Sequence, residues 1–201
     1  MSIKTDVLIC GSGSAGVCAA VWLARLGVDF RIIDKRDGPL KVGQADGVQC
    51  RTVEVFESFG LDEELKKDAY WVNEVVFWTV ESDGNAIAKT KRTADVPPGL
   101  SWQPHVILNQ ARLNGLLLEE MKRCSGKQVD YGLAIKEVKV DSSLAEDMEA
   151  YPVSAVAEND LGDQTHFEAK YVLVSRVLTV YENMLTNGRV AMVLTVRFVS
   201  R

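Results

Sequence analysis

The run Gly11-Ser-Gly-Ser-Ala-Gly16 has the G-x-G-x-x-G spacing, and Asp34 follows 18 residues after its last glycine. It lies between a short apolar run, Asp6-Val-Leu-Ile-Cys10, and an apolar stretch from Ser14 to Leu26. In that setting the pattern points to a turn that grips the diphosphate of an adenine dinucleotide. Gly11 permits the tight turn out of a strand, Gly13 leaves room for the pyrophosphate, and Gly16 lets the helix pack close to the sheet. The helix N-terminus, where Ser14 and Ala15 fall, offers unpaired N–H groups and partial positive charge to phosphate. Asp34 can accept hydrogen bonds from ribose hydroxyls, and Lys35 beside it is counted with the cofactor-binding positions. The plain alternative, a Gly-rich turn followed by a solvated Asp, is disfavoured by the matched spacing. Spacing does not separate FAD from NAD, since both carry the same ADP half.

The elements that would position these residues read as a βαβ opening of about 30 residues. Asp6–Cys10 suits a strand buried on both faces, Ser14–Leu26 a helix stopped by Gly27, and Phe30–Asp34 a second strand. Residues 35–50 carry four glycines or prolines without helical period and are expected to form an extended loop. A helix is expected from Arg51 to about Phe59, then a short helical turn from Asp62 to Asp68. Glu74–Val80 and Asn85–Thr90 read as a hairpin across Ser82-Asp83-Gly84. Asn109 caps a helix running to Cys124, with Leu113, Leu116, Leu117 and Met121 at core spacing. The remainder is strand-like: Val129–Tyr131, Ala134–Val140, Val153–Ala157 and Phe167–Val174.

The 201 residues are 47% hydrophobic and 25% charged, which is globular composition and excludes a disordered or fibrous chain. A net charge of −5 and a pI near 5.2 give no general reason to bind nucleic acid or anionic lipid. Neither is an expected partner. The longest apolar run, Val17 to Leu26, is broken by Arg25 and too short to span a bilayer, and no basic segment leads into a signal core. The expectation is a soluble, cytoplasmic protein. Its four cysteines show no CxxC pair or zinc spacing and read as small buried hydrophobes. Trp71, Trp78 and Trp102 read as packing residues, and His105 and His166 have no evident nucleophile or metal partner.

From Val7 to Leu61 the chain resembles the N-terminus of the FAD-dependent aromatic hydroxylases, nearest to the phenol hydroxylases. Gly43-Gln-Ala-Asp-Gly-Val-Gln-Cys-Arg-Thr52 is the most specific segment, and Leu108-Asn-Gln-Ala-Arg-Leu-Asn114 continues the likeness. The resemblance implies an α/β, Rossmann-like FAD-binding domain and a single-component flavin monooxygenase. In such enzymes NADPH reduces the flavin, O2 reacts with it, and one oxygen is transferred to a small phenolic substrate. It also implies that Arg51 contacts the cofactor, Gln110 lies near the ribityl chain, and Asp46 stands beside the substrate hydroxyl as the catalytic carboxylate. On residue types alone, Arg51 could cap a helix or face solvent, Asp46-Gly47 could be a turn, and Gln110 a first-turn helix residue. A homodimer is left open for the full-length form. An NAD-dependent dehydrogenase is disfavoured, because nothing after Asp34 resembles one.

The likeness stops at Leu173. In these hydroxylases the strand matching Ala169-Lys-Tyr-Val-Leu-Val174 runs into Gly-Cys-Asp-Gly-Ala-His-Ser, a second flavin motif, and a third motif, Gly-Asp-Ala, follows later. Here Val174-Ser-Arg leads into an unrelated tail. Val174-Ser175 can be written GTGAGT, a splice-donor sequence; Leu185-Thr186 can carry CTGAC, a branch-point sequence; and Arg189 as AGG supplies an acceptor AG. In the frame set by the remaining G, Val190 to Val199 can be decoded as Gly-Cys-Asp-Gly-Ala-His-Ser-Ala-Val-Arg. Met192 followed by Val193 forces glycine where the motif needs it.

The expectation is that residues 1–174 form the FAD-binding domain, with 72–108 as inserted substrate-side strands, and that 175–201 are an aberrant tail translated from a retained intron. The tail holds four Arg and one Glu, and its stretch Val190 to Val199 is β-prone, which makes it a candidate for disorder or self-association. Weak or no flavin retention is expected of the chain as it stands. A non-catalytic FAD- or partner-binding fragment is therefore the alternative to an active hydroxylase.

Overall fold

A computed structural model describes residues 2–43, 46–80, 86–144 and 147–175. The expected turn at Ser82-Asp83-Gly84 and the tail beyond Ser175 lie outside the described residues. Along the chain the elements are β1 (Ser2–Cys10), α1 (Ser14–Arg25), β2 (Phe30–Asp34), β3 (Gly47–Val48), α2 (Cys50–Ser58), α3 (Asp62–Asp68), β4 (Tyr70–Trp71), β5 (Glu74–Val80) and β6 (Ile87–Ala94). Then come β7 (Val106–Ile107), α4 (Gln110–Ser125), β8 (Asp130–Tyr131), β9 (Ala134–Val140), β10 (Val153–Glu158) and β11 (Gln164–Val174). The described residues form two compact units, one from those up to Lys41 and from Asn114 onward, the other from those between Val42 and Leu113; the division falls in the first turn of α4.

The first unit is built on a six-stranded sheet ordered β8-β2-β1-β11-β10-β9. β1 is central and parallel to both β2 and β11, so its apolar end, Leu8, Ile9 and Cys10, is buried on both faces. β10 and β11 pair antiparallel and alternate in burial: Val153, Ala155 and Ala157 on one strand and Phe167 and Ala169 on the other enter the core with Leu8, Cys10 and Ile33. That alternation is the period-2 signature of a sheet with one face buried.

Helix α1 crosses between β1 and β2. Val17, Ala20, Val21 and Ala24 are buried at the spacing of one helical face, and Gly27, at φ 69°, takes the left-handed conformation that ends the helix. Asn109 Oδ1 accepts the Ala111 N–H at 2.9 Å and caps α4, as its position and residue type lead one to expect.

The second unit holds a small sheet, β3-β7-β4, the antiparallel pair β5-β6, and helices α2 and α3. Val48, Val53, Phe56, Phe59, Leu65 and Val106 are buried in it. Two expectations need correction. Residues 35–50 are not wholly loop, because Gly47 and Val48 pair with Ile107 and Val106 and α2 already begins at Cys50. Two-residue strands carry too little pattern for periodicity to reveal. Trp71, Trp78 and Trp102 are exposed rather than packed. Trp102 Nε1 instead donates to Glu57 at 2.7 Å.

Candidate functional site

The turn after β1 is shaped by its three glycines in three different ways. Gly11 sits at φ 107°, a conformation that L side chains rarely adopt, and its N–H donates to the Ile33 carbonyl at 2.8 Å. A Cβ on Gly16 would collide with the Gly11 carbonyl oxygen. Gly13 is the N-cap of α1, extended at φ −69° and ψ 175°, and a Cβ placed there meets nothing within 4 Å. The backbone at Gly13 thus faces open space at a helix start that no side chain caps. Ser14, Ala15 and Gly16 follow in the first turn, whose N–H groups have no partner inside the helix. This cradle fits a diphosphate: it has donors, a favourable dipole and no Cβ in the way.

Asp34 ends β2 and is buried beneath this turn. Its Oδ2 accepts the Ser12 N–H at 2.7 Å and the Ser12 hydroxyl at 2.9 Å. Arg36 donates its own N–H and Nε to Oδ1, at 2.9 and 3.0 Å, and Nη2 to Oδ2 at 2.7 Å. Burial alone would raise the pKa of this carboxyl, but the Arg36 and Ser12 donors outweigh it and hold the group well below the usual carboxylate range. Asp34 is therefore an anion over the whole neutral range, as a ribose acceptor must be. Tyr131, which pairs with Asp34 across β8 and β2, has its phenol pushed up by burial. Lys35 points outward and is exposed.

Three further side chains hold the turn. Asn114, buried in α4, accepts the Ser14 hydroxyl at 2.7 Å and donates to the Ser12 carbonyl at 3.3 Å. Ser175, just past β11, donates its hydroxyl to the Gly11 carbonyl at 2.8 Å. With Arg36 these are residues that motif spacing does not reveal. Only Asn114 carried a signal, as the last residue of the Leu108–Asn114 segment.

Asp46, Arg51 and Gln110 belong to residues 42–113. Asp46 is exposed, and its carbonyl accepts the Leu108 N–H at 2.7 Å, which ties the strand entering β3 to the end of β7. A Cβ on Gly43 would fall 2.5 Å from the Gln110 Cβ and 2.9 Å from its nitrogen, so the two most family-like segments meet at a glycine. Gln110 is the first residue of α4 and half-buried. The Arg51 side chain is 83% exposed and pairs with Glu54 one turn along α2. His105 Nδ1 lies 2.7 Å from Asp95 Oδ2, with Gln49 Nε2 at 3.4 Å from its Nε2. Among the described residues no His, Cys, Asp or Glu cluster could hold a metal, and no helix is long and apolar enough to cross a membrane. The cysteines are free, and burial pushes the Cys10 thiol up to about 12.

Comparison with known proteins points to a flavin-binding family. Residues 4–174 match the family model described as an FAD binding domain. An FAD-dependent monooxygenase of Aspergillus terreus, terD, is 53% identical over 177 residues, covering 87% of this chain and 29% of that protein. The 3-hydroxybenzoate 4-monooxygenase of Comamonas testosteroni is 38% identical over 178 residues, covering 85% and 27%. The crystal structure of the flavin-dependent monooxygenase PieE with FAD and substrate superposes with a TM-score of 0.73 at 21% identity, over 90% of this chain and 32% of that one. The chain thus spans less than a third of the length of these relatives.

Proposed function

The chain belongs to the FAD-binding-domain family of the FAD-dependent monooxygenases, and from that premise we propose that it contributes the dinucleotide-binding part of an enzyme that hydroxylates a phenolic ring with O2 and NADPH. The observation that carries the reading is the turn at Gly13, which faces open space between a helix start and a buried, ionised Asp34. FAD, when bound, supplies the redox chemistry. The chain's own residues bind and orient it: the N–H groups of Ser14 to Gly16 meet the diphosphate, and Asp34 accepts from the adenosine ribose.

The phenolic substrate rests on the family resemblance, and the residues that the resemblance assigns are chemically suited to it. Asp46, a carboxylate at the entry to β3, suits removal of a phenol proton, which makes the ring a better nucleophile toward an electrophilic oxygen. Arg51 suits diphosphate charge and Gln110 the polar ribityl chain. The 3-hydroxybenzoate 4-monooxygenase among the relatives takes, by its name, a phenol. A second reading, flavin binding without turnover, follows from the absence of the second flavin motif after Val174 in this reading frame.

Titration of the purified chain with FAD, followed by flavin fluorescence, tests the core of the proposal. Binding is expected to be saturable but too weak to retain flavin through purification, and NADPH oxidation stimulated by 3-hydroxybenzoate or phenol would favour the enzyme. Binding without stimulated oxidation would favour the module, and a chain indifferent to FAD would remove both readings.

A further inference from the structure

The peptide joining Gly11 to Ser12 is held at both ends. Its N–H, from Ser12, donates to Asp34 Oδ2 at 2.7 Å. Its carbonyl, on Gly11, accepts the hydroxyl of Ser175 at 2.8 Å and lies against the Cα of Gly16. Ser175 follows the last register pair of β11, Cys10 with Val174, and its N–H donates to the Cys10 carbonyl at 3.1 Å. The three parallel strands β2, β1 and β11 therefore all end at one peptide unit, with Asp34 gripping it from one side and Ser175 from the other.

Space at this point is as restricted as the hydrogen bonding. A Cβ on Gly11 would stand 2.5 Å from Ser175 Oγ, and one on Gly16 would stand 3.0 Å from it. Gly11, Gly16 and Ser175 are mutually fitted, so a branched side chain at position 175 would press on the turn as a side chain at either glycine would. We propose that Ser175 is a positioning residue for the dinucleotide turn: its hydroxyl sets the tilt of the Gly11–Ser12 peptide, and through it the direction of the N–H groups that follow. The G-x-G-x-x-G signature omits this position because it lies on a distant strand.

The inference rests on the FAD reading for its binding arm and on nothing but the turn for its other arm. The full 201-residue chain and its Ser175→Ala, Ser175→Cys and Ser175→Val variants are titrated with FAD, and the ligand-free proteins are compared by thermal unfolding and by amide hydrogen exchange. Ser175→Ala is expected to weaken FAD about five- to tenfold, as loss of one hydrogen bond does. It should also speed exchange of the Ser12 amide while leaving the unfolding temperature within about 2 °C. Ser175→Cys, which keeps the small size and a weak donor, should recover most of the affinity, and Ser175→Val should lose more than about a hundredfold.

Equal FAD affinity for the parent chain and Ser175→Ala overturns the assignment, and so does a fall in affinity that merely follows a fall in unfolding temperature. A parent chain that ignores FAD sinks the functional reading instead. The Ser12 exchange rate then decides the positioning role by itself: faster in Ser175→Ala upholds it, unchanged removes it.

Discussion

The amide of Ser12 donates to Asp34 Oδ2 at 2.7 Å, so the carboxylate that ends β2 orients the backbone of the turn that ends β1. Asp34 thereby serves the turn, and in the proposed reading the ribose as well. Its oxygens already accept five hydrogen bonds from Ser12 and Arg36, and a ribose hydroxyl must share or displace one of them. Arg36 is the partner able to yield, since its side chain is partly exposed and carries several donors. Asp34→Asn removes the charge and turns an amide donor toward this cluster of donors. FAD affinity is expected to fall about 10- to 100-fold, matching roughly 1.5–3 kcal/mol for hydrogen bonds to a charged group. Arg36→Ala should cost far less affinity, because it frees acceptor capacity. Fluorescence titration of the two variants side by side checks the order.

The two glycines at the helix start should respond differently to a methyl group, one in binding and the other in stability. Gly13→Ala adds a Cβ into open space, so the ligand-free protein should unfold within about 0.5 kcal/mol of the parent. The same methyl occupies room proposed for the diphosphate and should weaken FAD strongly. Gly16→Ala drives a Cβ into the Gly11 carbonyl and should destabilise by about 2 kcal/mol or more, whether or not ligand is present. Chemical denaturation with and without FAD separates the two cases, and equal destabilisation by both substitutions would contradict the geometry.

Most of the first unit was legible because its signals are long and regular. The apolar ends of β1 and β2, the one-sided face of α1 and the glycines of the turn each follow from local pattern. Ser175 and Arg36 were not legible. Their importance comes from the parallel pairing of strands far apart in sequence, which brings Cys10 beside Val174. β3, β4 and β7 escaped for a different reason: two residues have no period. Asp46 and Gln110 carry no distinctive chemistry by residue type, and only the neighbouring family-like segments singled them out.

Acid should destabilise the protein in a defined window. In the Glu120 carboxyl the hydrogen bond from Arg123 lowers the pKa, burial opposes it, and Arg25 and Cys124 add further donors; the balance is about 2. Asp34 is depressed as well. A carboxyl depressed in the folded state, against about 4.3 for a free Glu, contributes its full stability above that value and loses it as pH falls toward the folded one. The unfolding temperature is thus expected to hold steady above about pH 5 and drop between about pH 4 and pH 2. Arg25 on α1 reaches Glu120 on α4 at 2.5 Å, so Glu120→Gln should lower stability at neutral pH by about 1–3 kcal/mol and flatten the acid slope. Scanning calorimetry from pH 7 to 2 on both proteins measures it.

In whatever form of the protein turns over, Asp46→Asn should reduce aromatic hydroxylation by about 10²- to 10⁴-fold, the range for loss of a general base. The deficit should shrink as pH approaches about 10, where a phenol ionises without help. Arg51→Ala should leave stability unchanged, because the side chain is exposed and its Glu54 pair lies at the surface, yet raise the FAD dissociation constant. An Asp46→Asn profile parallel to the parent across pH would take the proton-removing role away from this residue.

The codons of the tail give the last prediction. If Val174-Ser175 begins a retained intron, a second transcript should join the Leu173 codon directly to GGT-TGC-GAT, placing glycine at position 174 and cysteine at position 175. The turn has room for the cysteine. Ser175 stands where only a small side chain fits against Gly11 and Gly16, and a thiol is the nearest substitute for its hydroxyl in size. A chain continued in that frame would carry the second flavin motif directly from the end of β11, beside the turn at Gly11. It should therefore bind FAD more tightly than the 201-residue chain, and remain yellow through purification. Sequencing of the transcripts decides the matter. Codons other than GTG-AGT at Val174-Ser175, or third bases at Val190 to Val199 that break the shifted motif, would leave the tail without this explanation.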